Sequence, residues 1–84
     1  MNKLEMIMEA YPEDSFLKAD GFDEAVIGLD VNSDRLVYSV EKCIEILIAN
    51  GMSKEFAEEF FYYNVSGSYV GEMTPIWVKG SFDF

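Results

Sequence analysis

Asp30, Asn32 and Asp34 stand at alternate positions, and Glu41 follows seven residues after the last of them. Oxygen donors so spaced wrap Ca2+ in the twelve-residue loop of an EF-hand, because alternate side chains turn inward as the loop coils. Counted from Asp30, the four residues fall on the first, third, fifth and twelfth places, and Val37 fills the apolar eighth. Phe22, Ala25, Val26 and Leu29 fit one face of an incoming helix. Two features oppose the metal. Arg35 occupies the sixth place, where such a loop needs glycine for its turn, and a cation there repels Ca2+. The flanking runs are also rich in β-branched residues, and Gly28 weakens a helix. A Ca2+ site at Asp30, Asn32, Asp34 and Glu41 is therefore the alternative, and a polar hairpin turn the preferred reading.

Catalytic constellations are poor. The chain has no His, which removes the usual general base at neutral pH and the commonest transition-metal ligand. Its Ser and Cys side chains thus have no imidazole to activate them, and Lys79 has no evident pocket. Paired carboxylates of glycosidase type need a deep sugar cleft that 84 residues hardly provide. Gly67 and Gly71 are not followed by the Gly-Lys-Ser/Thr of a phosphate loop. The expectation is a protein that is not an enzyme and takes no cofactor.

Sixteen Asp and Glu against six Lys and Arg give a net charge of -10. Affinity for phosphate comes from Lys and Arg that displace counterions, so neither nucleic acid nor an anionic membrane is an expected ligand. Asn50-Gly51-Met52 between two helices invites a helix-turn-helix reading, but the second helix would offer Glu55, Glu58 and Glu59 with only Lys54 in support. Those acids, with Glu13-Asp14 and Asp20, Asp23 and Glu24, suit the opposite role. They can imitate a phosphate backbone for a basic partner, by steering and charge pairing. The plainer reading is that acid keeps an aromatic-rich protein soluble.

Phe60-Phe61-Tyr62-Tyr63 adds a second signal. Consecutive helical residues point about 100° apart, so these four rings cannot all face one core. Either the helix is buried on two sides, with the N-terminal helix covering it, or some rings form a contact surface, for which Tyr is well suited. A homodimer or partner interface follows from the second option, with Glu55, Glu58, Glu59, Tyr62 and Tyr63 as the contact residues. Ser81-Phe82-Asp83-Phe84 is a further acidic-aromatic stretch that suits docking, though frayed termini are the default.

The elements that must position these residues are legible in outline. Leu4, Ile7, Met8 and Tyr11 form one stripe of a helix over 3–11, ended by Pro12, and Phe16 and Leu17 tuck inward from the loop that follows. Ala25–Leu29 and Leu36–Tyr38 flank the turn formers 30–34 and predict a β-hairpin. Ser39 caps a helix over Val40–Ala49 with Val40, Cys43, Ile44, Leu47 and Ile48 buried. Asn50-Gly51 ends it, and Ser53 caps another from Lys54 to about Tyr63, with Phe56, Phe60 and Tyr63 on one face. After the irregular Ser-Tyr-Val passage between Gly67 and Gly71, Pro75 opens a last strand, Ile76–Val78, in which Trp77 is a core residue. The prediction is one α+β domain over 1–84, order α-β-β-α-α-β. It has a three-stranded, mostly antiparallel sheet and a helical hairpin on one face.

A chain this short buries only about 60–65% of its unfolded surface, so its core is thin. The lone Cys43 forms no internal disulfide and fits a reducing cytosol. Glu5 and Glu9 interrupt any signal-peptide core, and no apolar run approaches the roughly 20 residues of a membrane span. A soluble, cytoplasmic protein is expected.

The chain also resembles a group of small acidic proteins common in bacteriophage genomes. The likeness covers roughly residues 21–78, through Gly21-Phe22-Asp23-Glu24-Ala25-Val26-Ile27-Gly28, Leu36-Val37-Tyr38, Lys42–Leu47, Gly51-Met52-Ser53 and Glu58-Glu59-Phe60-Phe61. Its most specific part is the string Asn64-Val65, Gly67, Tyr69-Val70-Gly71-Glu72, Thr74-Pro75-Ile76. The resemblance implies a phage origin, hence the host cytoplasm, and supports the hairpin; it supplies no catalytic residues. The function expected is a phage-type accessory protein that binds a host or phage protein, as an acidic inhibitor or nucleic-acid mimic. The alternatives are the Ca2+ module at 30–41 and a structural homodimer.

Overall fold

The computed structural model describes residues 2–67 and 71–80. The Ser68-Tyr69-Val70 passage and the Ser81–Phe84 stretch lie outside them.

Helix α1 spans Lys3–Ala10, where the Asn2 side chain accepts the Glu5 N–H at 2.8 Å and satisfies one of the donors a helix start leaves bare. A 3-10 turn, Asp23–Ala25, leads into strand β1, Val26–Leu29. Strand β2, Leu36–Ser39, returns antiparallel to it. Between Val26 and Gly28 the register slips, so Ile27 is an extra residue and the strand bulges there. The Asp30 N–H donates to the Arg35 carbonyl at 2.9 Å and closes the loop. Asp34 takes φ +57, a conformation Asp tolerates better than most residues.

β2 runs into helix α2, Val40–Ala49, with no linker, because its last residue, Ser39, is also the helix cap and accepts the Lys42 N–H. Gly51, at φ +108, turns the chain into helix α3, Lys54–Phe60, capped by Ser53. The last turn, Phe61–Val65, widens into π geometry. Strand β3, Ile76–Val78, then pairs with β2 in register Val37↔Ile76 and Tyr38↔Trp77.

The α+β class and the element order are those expected. The sheet, in order β1-β2-β3, is mixed rather than mostly antiparallel, since β2 and β3 are parallel. The reason is connectivity. A parallel pair needs a long crossover, and α2, α3 and the segment up to Pro75 carry the chain back to the end of the sheet where β2 begins.

Tyr38, Phe61, Leu36 and Cys43 are the largest fully buried side chains. The partly buried Trp77 ring packs against them, 5.1 Å from the Tyr38 ring and 5.4 Å edge-on from that of Phe61. Tyr38 also satisfies its polar end, since its hydroxyl accepts the Ala19 N–H at 2.9 Å and ties the long 11–22 connection to the sheet. Phe16 packs on the core, while Leu17 is exposed, against expectation. α1 packs against β1 and the 3-10 turn, with Leu4 buried. No helix among the described residues is long and apolar enough to cross a membrane.

Candidate functional site

On α3, residues four apart share a face, and burial sorts the helix into rows. Ala57 and Phe61 are completely buried, so this row faces the core. Phe56 and Phe60 flank it, their rings 6.3 Å apart, with Phe56 still 54% exposed. The sequence pattern set Phe56, Phe60 and Tyr63 on one face opposite the glutamates, and the structure divides them. Tyr63 is 84% exposed, in the row Glu55, Glu59, Tyr63 that points to solvent. Ala57 lets the helix approach the core closely where a ring would hold it away, and Phe61 one turn on fills the space below.

The widened turn settles the fate of the four consecutive rings. Ser66 N–H bonds to the Phe61 carbonyl, five residues back, at 2.9 Å. A Cβ on Gly67 would stand 3.3 Å from the Tyr62 carbonyl oxygen, so glycine suits the tight exit from this turn. Phe61 therefore goes inward, Phe60 is half-buried, and Tyr62 and Tyr63 stay outside, Tyr62 at 45% exposure. The N-terminal helix does not hide them.

Glu58 and Tyr62 belong to a different row, which faces α2. Together with Lys54 they form one wall of a groove of about 420 Å3 between the two helices. The α2 side supplies the apolar row Val40, Ile44, Ile48 and, beside it, Glu41 and Glu45. Lys79, just beyond β3, closes one end, its ammonium 5.7 Å from the centre of the Tyr62 ring. The five residues expected to form a contact surface are thus brought together on one helix but divided between an outer row and a groove wall.

No protein-family model, curated protein or solved structure matches this chain.

The acidic loop is a hairpin turn. The Asp30 carboxylate accepts both the N–H and the hydroxyl of Ser33, at 2.9 and 2.6 Å, and these bonds with the nearby Arg35 hold its pKa below the ordinary value. Arg35 donates to Ser33 Oγ and to the Thr74 carbonyl, both at 3.1 Å, and so fastens the hairpin to the chain before β3. The flanking elements are strands, not the helices of an EF-hand. Glu41 lies beyond the whole of β2, about 13 Å of extended chain from the loop, and its carboxylate accepts the Gly80 N–H at 2.9 Å. Asp30, Asn32, Asp34 and Glu41 are therefore not gathered around one point. Among the described residues no three His, Cys, Asp or Glu side chains are grouped to hold a metal ion.

Cys43 is fully buried, and desolvation pushes its thiol up to about 12, which makes it inert. The groove itself was missed by sequence reasoning, because Ile44 and Ile48 were counted as core. Ile48 is in fact 39% exposed. A signal existed in the i, i+4, i+8 spacing of Val40, Ile44 and Ile48, which is a narrower row than the one centred on Cys43 and Leu47.

Proposed function

We propose that this protein is a non-enzymatic accessory module that binds a basic protein partner through α3 and its π turn. One observation carries this reading: the exposed rings of Phe56, Tyr62 and Tyr63 lie on the same short helix as Glu55, Glu58 and Glu59. Large exposed aromatics supply contact area at low entropic cost, and adjacent carboxylates select and steer a cationic surface. A chain of net charge -10 attracts such a partner over a Debye length at physiological salt. Proteins that bind nucleic acid present surfaces of that kind. The resemblance of residues 21–78 to small acidic phage proteins favours a host protein met in the host cytoplasm. A homodimer through this face is disfavoured, since it would set the Glu55 and Glu59 row of one copy against that of the other.

The test is capture from host lysate at low and high salt, alongside a variant carrying Glu55→Lys, Glu58→Lys and Glu59→Lys. One stoichiometric basic partner, lost at high salt and lost with the variant while its far-ultraviolet spectrum is unchanged, supports the reading. Retention of that partner by the charge-reversed protein rejects it.

A further inference from the structure

We infer that the groove between α2 and α3 is the seat of a basic amphipathic helix contributed by the partner. This rests on the protein-binding reading above and names the chemistry its partner must present.

The groove has the parts that such recognition uses. Val40 is buried at the start of the row, and Ile44 and Ile48 carry its accessible surface over about 6 Å of helix, which matches one turn of an occupant carrying apolar residues four apart. Ile48, 39% exposed at one end, and the half-buried Ile44 are apolar surface left without a cover among the described residues. The lining sets three carboxylates, Glu41 and Glu45 on α2 and Glu58 on α3, against two ammoniums, Lys54 and Lys79, so it is net acidic, with Glu45 and Glu58 on opposite walls to meet cations of a helix lying between them. The Tyr62 ring adds a third cation-accepting surface, and Lys79 already shows the geometry by resting an ammonium over it.

No described helix of a second copy suits the groove. Each of α1, α2 and α3 carries a single basic residue, Lys3, Lys42 and Lys54. Any of them laid in the groove would bring more acid than base to Glu45 and Glu58. The occupant we infer is instead a foreign helix with a Lys- or Arg-rich polar face.

The experiment titrates the full chain, labelled with nitrogen-15, with a synthetic Leu/Lys amphipathic helix of about 18 residues, long enough to be helical when bound. A Leu/Glu peptide of the same apolar pattern serves as the control. At physiological salt the Leu/Lys peptide should saturate one site and shift the amides of Ile44, Ile48, Glu58 and Tyr62, while the Leu/Glu peptide leaves them in place. The deciding variant is Ile48→Asp, at a position 39% exposed, compared with wild type only after its far-ultraviolet spectrum and thermal unfolding show the fold retained. It adds negative charge yet removes the apolar floor, so binding should fall about tenfold or more. Ile48→Ser should weaken binding in the same direction without a change of charge. Equal or tighter binding by Ile48→Asp would reveal attraction by charge alone and overturn the groove. Shifts confined to Glu55, Glu59 and Tyr63 would also overturn it, while leaving the protein-binding reading intact. Absence of saturable binding by the Leu/Lys peptide overturns it as well.

Discussion

The ammonium of Lys79 lies 5.7 Å from the centre of the Tyr62 ring, so the aromatic wall of the α2–α3 groove is covered by a cation from the protein's own chain. At an exposed site this contact contributes about 0.5–1 kcal/mol, small enough to be exchanged for a cation from elsewhere. Lys79→Ala should therefore tighten binding of a basic amphipathic peptide by about two- to fivefold. Isothermal titration of wild type and variant measures it, and weaker binding by the variant would show that Lys79 helps the ligand rather than competes with it.

Phe61 and Tyr63 are two residues apart with opposite surroundings, one fully buried and the other 84% exposed. Phe61→Ala should cost about 3–5 kcal/mol in a denaturant titration, because it removes a ring that packs edge-on against Trp77 and leaves a cavity. Tyr63→Ala should change stability by less than about 0.5 kcal/mol. If Tyr63 anchors a partner, the same variant should lose about 1–2 kcal/mol of binding.

Tyr38→Phe isolates a single hydrogen bond. The ring stays while the Ala19 N–H loses its acceptor, at a cost of about 1–3 kcal/mol in unfolding free energy. Hydrogen exchange at Ala19 should quicken more than exchange within β2, since the bond holds the 11–22 connection rather than the ladder.

Cys43 should be silent to thiol reagents in the native protein at pH 8 and react promptly in denaturant. Its folded pKa is about 12 against an ordinary 9.0, so the folded chain holds the thiol proton more tightly than the unfolded one. This contribution to stability is complete below pH 9 and declines as pH rises above it. Labelling kinetics measured across pH 7–10 should follow global unfolding, and fast native labelling would show that the thiol is reachable.

Asp30 behaves in the opposite sense. Its carboxyl is held below 3.8 chiefly by the Ser33 hydroxyl, with further help from the Ser33 N–H, so its support for the hairpin is present above that value and lost as pH falls through the lower, folded one. Carboxyl titration followed by NMR should place Asp30 among the more acidic Asp residues. Asp30→Ala should loosen the 30–35 turn, and Ca2+ should give no saturable heat with either protein, because Glu41 is a strand away.

What the sequence determined by itself is what short-range forces decide. Ser39 and Ser53 offer hydroxyls to helix starts, and Gly51 accepts a positive φ. Asp30 and Ser33 close a turn on each other, so α2, the start of α3 and the hairpin lie where the sequence puts them. These bonds span three residues and need no partner from elsewhere in the chain. Two features belong to the tertiary structure alone, the direction of β3 and the row of α3 that faces inward; the groove lined by Ile44 and Ile48 is hinted at by their spacing but formed only by the packing of α3 beside them. α3 and its π turn carry rings around most of their circumference, so hydrophobicity does not choose between Phe56 and Phe61. The choice falls to fit, since Ala57 permits close approach and leaves Phe61 to fill the space beside Trp77. Contact surfaces and grooves are what such packing leaves over, which is why the acidic, aromatic residues could be named from sequence but their division into an outer row and a groove wall could not.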